Sequence, residues 1–449
     1  MQFASTRDPH HLVSFSTALT EGLAPDGGLY VPTEWPHTVL SAAAAQSAVA
    51  EVAAIPGARR RTLARLAAAL IAPFAAADPI ADALEAITAE VFNFAAPLIM
   101  LDADRRLGVL ELFHGPTAAF KDFGARFLAA CLARLRRGAT RPLKILVATS
   151  GDTGGAVAAA FHRRPGIEVV VLFPKGQVSP TQERQLTCWG ENVHSLAVRG
   201  SFDDCQRLVK EAFLDPLLRE RFELSSANSI NLGRLLPQVV YFFTAALAIQ
   251  RAHGESASFV IPSGNLGNAT ACVWARKLGA PIESIVLAHN ANRTVPDYLR
   301  DGVLRPRPSI PTLACAMDVG NPSNLERLSA LYPDAAALRA AVSATSIDDE
   351  AIRARITIDF QRYGRIWCPH TATAAETYAR LAPAVRAQGR WVLVATAHPA
   401  KFREIVEPLI GQRLPLPPSL ALLYERPSNF SEIDASLPAL RQSLRATEP

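Results

Sequence analysis

The stretch Phe113-His114-Gly115-Pro116-Thr117-Ala118-Ala119-Phe120-Lys121-Asp122-Phe123-Gly124 decides how the rest of the chain is read. Before it, the apolar run from Leu107 to Leu112 predicts a short strand. After it, Phe123, Phe127, Leu128, Cys131, Leu132 and Leu135 recur at helical spacing and predict a helix. Lys121 therefore falls at a strand-to-helix transition, between two phenylalanines. Aromatic neighbours desolvate an ammonium and a helix N-terminus repels it, so both lower the lysine pKa toward the free amine. A free lysine amine forms a Schiff base with a carbonyl. Local context leaves a second reading open, in which the side chain snorkels to water.

At 449 residues, with 49% hydrophobic and 19% charged residues, the chain can bury a large core in two or three domains. The net charge of +5 is spread thinly, since 46 basic residues face 41 acidic ones. Clusters such as Arg59-Arg60-Arg61 and Arg134 to Arg137 read as solvated helix faces, which argues against nucleic-acid binding. Six scattered cysteines show no metal-binding spacing and fit reduced, buried thiols in a cytoplasmic setting. No metal is expected. The N-terminus lacks a signal pattern, and the Ala-rich run from Leu66 to Ala77 is too short to cross a membrane.

Residues 1–98 are expected to form a mostly helical N-terminal region, Ala-rich from about 36, with breaks at Pro56-Gly57, Pro73 and Pro79. From 99 to 449 the texture changes. Apolar strands are predicted at Leu143 to Thr149, Ile167 to Phe173, Phe259 to Pro262, Ser284 to Ala288 and Trp391 to Thr396, interleaved with helices. That pattern implies an α/β fold with doubly wound, mostly parallel sheets covered on both faces. Residues 330 to 390 read as helix-rich, and the tail after Pro415 to Pro418 as surface chain. Ligands in such folds bind at the carboxyl ends of strands, where the glycine-rich loops fall.

Three loops carry candidate chemistry. Ser263-Gly264-Asn265-Leu266-Gly267-Asn268 places backbone amides at a helix start, suited to an anion, or forms only a turn. It has no Lys-Ser/Thr pair after it and no GxGxxG pattern, so it is neither a P-loop nor a dinucleotide fingerprint. Ser150-Gly151-Asp152-Thr153-Gly154-Gly155 suits a substrate carboxylate, or caps a helix through Asp152 or Thr153. Asn228-Ser229-Ile230-Asn231-Leu232-Gly233-Arg234 suits a second phosphate, because a guanidinium binds phosphate bidentately; Arg234 pairing with a surface acid stays open. His114, Lys175 and Lys401 are lesser candidates.

The Lys121 string closely resembles the lysine motif of threonine synthases, enzymes dependent on pyridoxal 5'-phosphate (PLP). Gly22 to Pro32, Ser150 to Gly155, Ser263 to Asn268 and Ala395 to Phe402 resemble further motifs of that family, in its order, from Ser5 to Phe402. The resemblance implies a tryptophan synthase β-like fold (fold type II), with two α/β subdomains and the site in the cleft between them. It implies PLP on Lys121, its phosphate held by Gly264, Asn265, Leu266, Gly267 and Asn268, and its pyridine nitrogen met by the Thr396 hydroxyl. It implies that Ser150, Gly151, Asp152 and Thr153 bind the substrate carboxylate; Asn228, Ser229, Asn231 and Arg234 are expected, from their own chemistry, to be further substrate contacts. The implied reaction converts O-phospho-L-homoserine and water to L-threonine and phosphate, in a monomer or homodimer. A phospho-lyase releasing 2-oxobutyrate and a serine/threonine dehydratase are the alternatives on this fold. Leu266 stands where the family usually has phenylalanine. Asn290-Ala291-Asn292-Arg293 lacks an acidic residue expected near 293.

Overall fold

The computed structural model describes residues 1–36, 58–101 and 104–446. Helices expected between 37 and 57, with the Pro56-Gly57 break, lie outside these residues, as do the side chains of Arg59, Arg60 and Arg61. Two sheets organise the chain. In the first, Ser343–Ser346, Ile282–His289, Ala257–Pro262, Arg390–Ala395 and Asp104–Glu111 run parallel in that spatial order, and Leu98–Leu101 closes the edge antiparallel. In the second, Ser431–Asp434, Val193–Arg199, Ile167–Pro174, Leu143–Ala148 and Glu223–Ser226 are all parallel. Ala257–Pro262 and Leu143–Ala148 are buried at every residue, which explains why their sequences are apolar apart from Ser258 and Lys144.

The chain passes between the sheets around Lys121. Asp104–Glu111 belongs to the first sheet, whereas the helix Lys121–Leu135 that follows packs on the second sheet's helix Asp152–Phe161. Gly124 makes this closeness possible: a Cβ there would lie 2.3 Å from the Arg234 carbonyl oxygen. Phe123 anchors the same turn, with ring centroids 4.5 Å from Phe94, 5.7 Å from Phe92 and 5.3 Å from Tyr241. Such aromatic pairs each contribute about 0.5–1.5 kcal/mol beyond buried area. Among the described residues one helical stretch, Leu232–His253, is long and apolar enough to cross a membrane, and 83% of its 18-residue apolar window is buried within the protein.

Three expectations are refined. The N-terminal region opens with a three-stranded antiparallel sheet of Phe3–Ser5, Leu12–Val13 and Tyr30–Pro32, with the helix Phe15–Glu21 between its strands, and then carries the helices Ala58–Ile71 and Leu84–Val91. Its end at 98 cuts through the strand Leu98–Leu101, which pairs with Asp104–Glu111. The tail lies mostly on the surface but is regular: Ser431–Asp434 forms a sheet edge, and Ile433 is buried together with Leu440 and Leu444 of the helix Leu437–Ala446. A four-residue strand with one apolar residue leaves no readable periodicity.

Lys144 ties this tail down from inside the second sheet. Its side chain is buried, pairs with Glu168 at 2.8 Å, lies 4.2 Å from the Phe222 ring centroid and donates to the Leu444 carbonyl at 3.1 Å. Removing one partner of a buried pair strands the other charge. Lys144→Ala is therefore expected to lower unfolding stability by about 3 kcal/mol in urea denaturation. An unchanged midpoint would show that the tail docks independently of this lysine.

Candidate active site

Lys121 is the first residue of its helix, and its ammonium makes no hydrogen bond or ion pair among the described residues; it only faces the Phe120 ring, 5.7 Å away. Burial pushes its pKa down, and Arg234 and Lys401 push the same way against the opposing charge of Asp152, so it settles at about 8. Near neutrality a useful fraction is the free amine.

Asp152 and Lys401 form a buried ion pair at 2.7 Å, with Lys401 also donating to the Thr117 carbonyl at 3.1 Å. Burial alone would protonate Asp152, yet Lys401, Lys121 and His370 hold it far below the usual carboxylate range. Gln182 Nε2 donates to the same carboxylate at 3.0 Å. The side chain of Asp152 is thus committed to cations and offers nothing to a substrate carboxylate, which leaves its backbone amide. Neither Asp152 nor Thr153 caps the helix: the Thr149 hydroxyl accepts from Gly151 N at 2.9 Å and Gly154 N at 2.8 Å. Ser150 and Thr153 keep hydroxyls with no partner among the described residues. Asp122, next to Lys121, accepts from Thr117 N at 2.9 Å and Thr117 Oγ1 at 2.7 Å, and burial raises its pKa.

The loop 263–268 leaves the strand Ala257–Pro262 and opens the helix Gly267–Lys277, which has no side-chain cap. Ser263 donates to Asn268 Oδ1 at 2.7 Å and Asn268 Nδ2 donates to the Pro262 carbonyl at 2.9 Å, so the turn is braced by its own side chains. Leu266 sits at φ +62°, a left-handed conformation that turns the backbone without glycine. The amides of Asn265, Leu266, Gly267 and Asn268 have no acceptor among the described residues. Gly264 passes under Met317, where a Cβ would lie 2.6 Å from its Cα. Uncapped amides at a helix N-terminus are an anion cradle.

Arg234 is buried, with its Nε lacking any partner and one Nη donating to the Ala227 carbonyl. Burial lowers its pKa to about 10, opposed only by Asp122. No carboxylate among the described residues pairs with it, and it is buried, so the surface-acid reading falls away. Asn231 is different. Its amide donates to the carbonyls of Leu19 and Ser226, and its oxygen caps Gly233 N at 2.9 Å. That side chain is fully used by the scaffold. Asn228 Nδ2 donates to the Ala148 carbonyl at 2.9 Å, and Ser229 Oγ accepts from Asn265 Nδ2 at 2.7 Å, joining the two loops. Thr396 follows the strand Arg390–Ala395; its carbonyl accepts from Phe120 N at 2.8 Å, while its hydroxyl has no partner among the described residues.

Of the lesser candidates, only Lys401 reaches the site. His114 is exposed and pairs with Glu111 at 2.8 Å, and Lys175 pairs with Glu432 on the surface. Around 290 the missing acid is supplied from elsewhere: Asn290 Nδ2 donates to Asp318 at 2.7 Å, and Arg293 pairs with Asp297 at 3.1 Å. Sequence reasoning missed Gln182, Cys315 and His370. His370 Nε2 accepts from Ala316 N at 3.1 Å, pinning the segment that covers Gly264, and Cys315 lies near enough to Lys121 and Asp152 to feel both charges. The polar string Cys368-Pro369-His370-Thr371 was the available signal.

These features fit PLP: an unpaired lysine amine, a run of unpaired amides for its phosphate and an unpartnered hydroxyl at Thr396. Similarity to known proteins agrees. The family model described as pyridoxal-phosphate dependent enzyme matches residues 95–397, and models of the threonine synthase N terminus and C-terminal region match residues 2–92 and 371–443. A threonine synthase of Serratia marcescens is 36% identical over 99% of both chains. The crystal structure of threonine synthase from Escherichia coli superposes with a TM-score of 0.87 at 35% identity over 100% of both chains. The PLP-bound threonine synthase of Brucella melitensis does so with a TM-score of 0.87 at 34% identity over 99% of both. The chain belongs to the threonine synthase family of pyridoxal-phosphate-dependent enzymes.

Proposed function

We propose that the chain converts O-phospho-L-homoserine and water to L-threonine and phosphate, with Lys121 holding PLP and acting as the proton carrier. The observation that carries this reading is the unpaired Lys121 amine set beside the uncompensated Arg234 guanidinium. Gly264, Asn265, Leu266, Gly267 and Asn268 would hold the PLP phosphate, and Thr396 would face the pyridine nitrogen. Bound there, the cofactor supplies an electron sink for the substrate α-carbon.

The protein's own groups do the remaining work. The Ser150 and Thr153 hydroxyls and the backbone amides of Ser150, Asp152 and Thr153 would bind the substrate carboxylate at the start of a helix, while Gly151, its amide held by Thr149, shapes the loop. Arg234, with Asn228 and Ser229, would bind the substrate phosphate and stabilise it as it leaves. Asn231 serves the site only by shaping that loop. Lys121 would take and return protons at the α- and β-carbons, a task suited to a pKa of about 8. The segment Cys315–Met317, lying over Gly264, keeps stray water from the reacting carbons. We propose further that residues 99–449 form two α/β subdomains with this site between them, and that the enzyme works in the cytoplasm as a monomer or homodimer.

Lys121→Ala is expected to lose the visible PLP band that borohydride fixes in the wild type, and to lose turnover by at least about 1000-fold. Retention of a fixable band would move the attachment point elsewhere. Arg234→Gln is expected to raise KM for O-phosphohomoserine by about 10- to 100-fold, the worth of a charge-assisted contact. Unchanged KM would favour a dehydratase, and 2-oxobutyrate as main product a phospho-lyase. Because only the unprotonated amine adds to a carbonyl, PLP uptake by cofactor-free protein should accelerate as pH rises through about 8. Uptake that rises only above about pH 10 would place the lysine in bulk-like solvent.

A further inference from the structure

The helices Lys121–Leu135 and Asp152–Phe161 carry site residues at their N-termini; their opposite ends meet at a second concavity. At about 1.5 Å per residue, this places it about 15–20 Å from Lys121. It is a cleft of about 740 Å³, lined among others by Arg126, Arg134, Arg136, Arg137, Arg163 and Arg164. The sequence reading of Arg134 to Arg137 as a solvated face fails here, because Arg134 and Arg136 are half-buried in the cleft wall.

Helix C-termini attract cations, which accounts for part of this bias. It does not account for the charge imbalance. Glu90 pairs with both Arg134 and Arg164, Glu191 with Arg163 and Glu223 with Arg136. Six guanidiniums thus share three carboxylates. Arg137 has no ion pair among the described residues and is exposed. Arg126 donates to the Glu90 carbonyl at 2.6 Å and meets no carboxylate directly, and the buried Nε atoms of Arg126 and Arg136 have no acceptor. A surplus of about three positive charges, displayed as planar forks, matches a chain of phosphoryl groups better than a single anion. The volume admits a molecule as large as a nucleotide.

We propose that this cleft binds a polyphosphate chain, free or as part of a nucleoside di- or triphosphate. Glu90 occupies the binding position in its absence, bridging Arg134 and Arg164, and gives way to the ligand. The site is separate from that of the reaction and does not depend on the assignment of the substrate.

The test is calorimetric titration of the PLP-loaded enzyme with tripolyphosphate, with ATP and with adenosine at fixed ionic strength. One saturable site for tripolyphosphate and ATP, and none for adenosine, is expected. Arg137→Glu, an exposed change, should weaken binding at least about tenfold, and Glu90→Gln should tighten it, with the PLP spectrum and basal turnover of both unchanged. Equal affinity for tripolyphosphate and ATP would identify the phosphate chain as the ligand; tenfold preference for ATP would identify a nucleotide. No saturable binding, or binding that ignores Arg137→Glu and Glu90→Gln, overturns the proposal and leaves only phosphate capture at Arg234.

Discussion

Lys121, Lys401 and Arg234 share one buried region with a single firmly ionised carboxylate, Asp152. Asp122 lies beside them, its pKa pushed up by burial and its oxygens taken by Thr117. Such an arrangement is costly for a ligand-free protein, since each desolvated cation lacks the water it would have outside. Asp152 is spent on Lys401, the nearest cation, so Lys121 and Arg234 remain uncompensated. The lysine responds by giving up its proton readily. The arginine cannot, and stays charged. One fact therefore produces both a reactive amine and an anion receptor, and a substrate bearing a phosphate and a carboxylate completes the charge balance.

The fold supplies this imbalance by aiming backbone dipoles at the same place. The carboxyl ends of Leu143–Ala148, Ala257–Pro262 and Arg390–Ala395 bring their loops toward Lys121, and helices begin at Asp152 and Gly267. Side chains that brace these turns consume only a few of the amides. Thr149 serves Gly151 and Gly154, whereas Asn268 and Ser263 serve each other and the Pro262 carbonyl. The loops are rigid and still open to an anion, the condition for a preorganised site.

Much of this was legible in the sequence because the signals are local. Apolar strands followed by small-residue loops predicted the parallel sheets, and the lysine string predicted the strand-to-helix crossing near Lys121. What escaped reading depends on contacts across long separations. Ser431–Asp434 joins a sheet through register with Val193–Arg199, more than 200 positions away, and has too few apolar residues to announce itself. Gln182 and His370 gain their roles only where the fold brings them to Asp152 and Ala316. The N-terminal sheet rests on strands of two and three residues, below the length at which alternation can be recognised.

Within the predicted motifs, hydrogen-bond saturation separates ligand groups from scaffold. Asn231 and Arg234 lie three residues apart and looked equivalent as substrate contacts. Asn231 has both amide hydrogens and its oxygen engaged, so recruiting it would break the turn it caps. Arg234 has a buried nitrogen with nothing to donate to, a state that costs about 1–3 kcal/mol unless a ligand relieves it. The same division sets the Asp152 carboxylate, held by Lys401 and Gln182, against the open hydroxyls of Ser150 and Thr396. A folded protein keeps few buried polar groups unsatisfied. The Arg234 nitrogen, close enough to Lys121 to help lower its pKa, is one that an anionic ligand would satisfy.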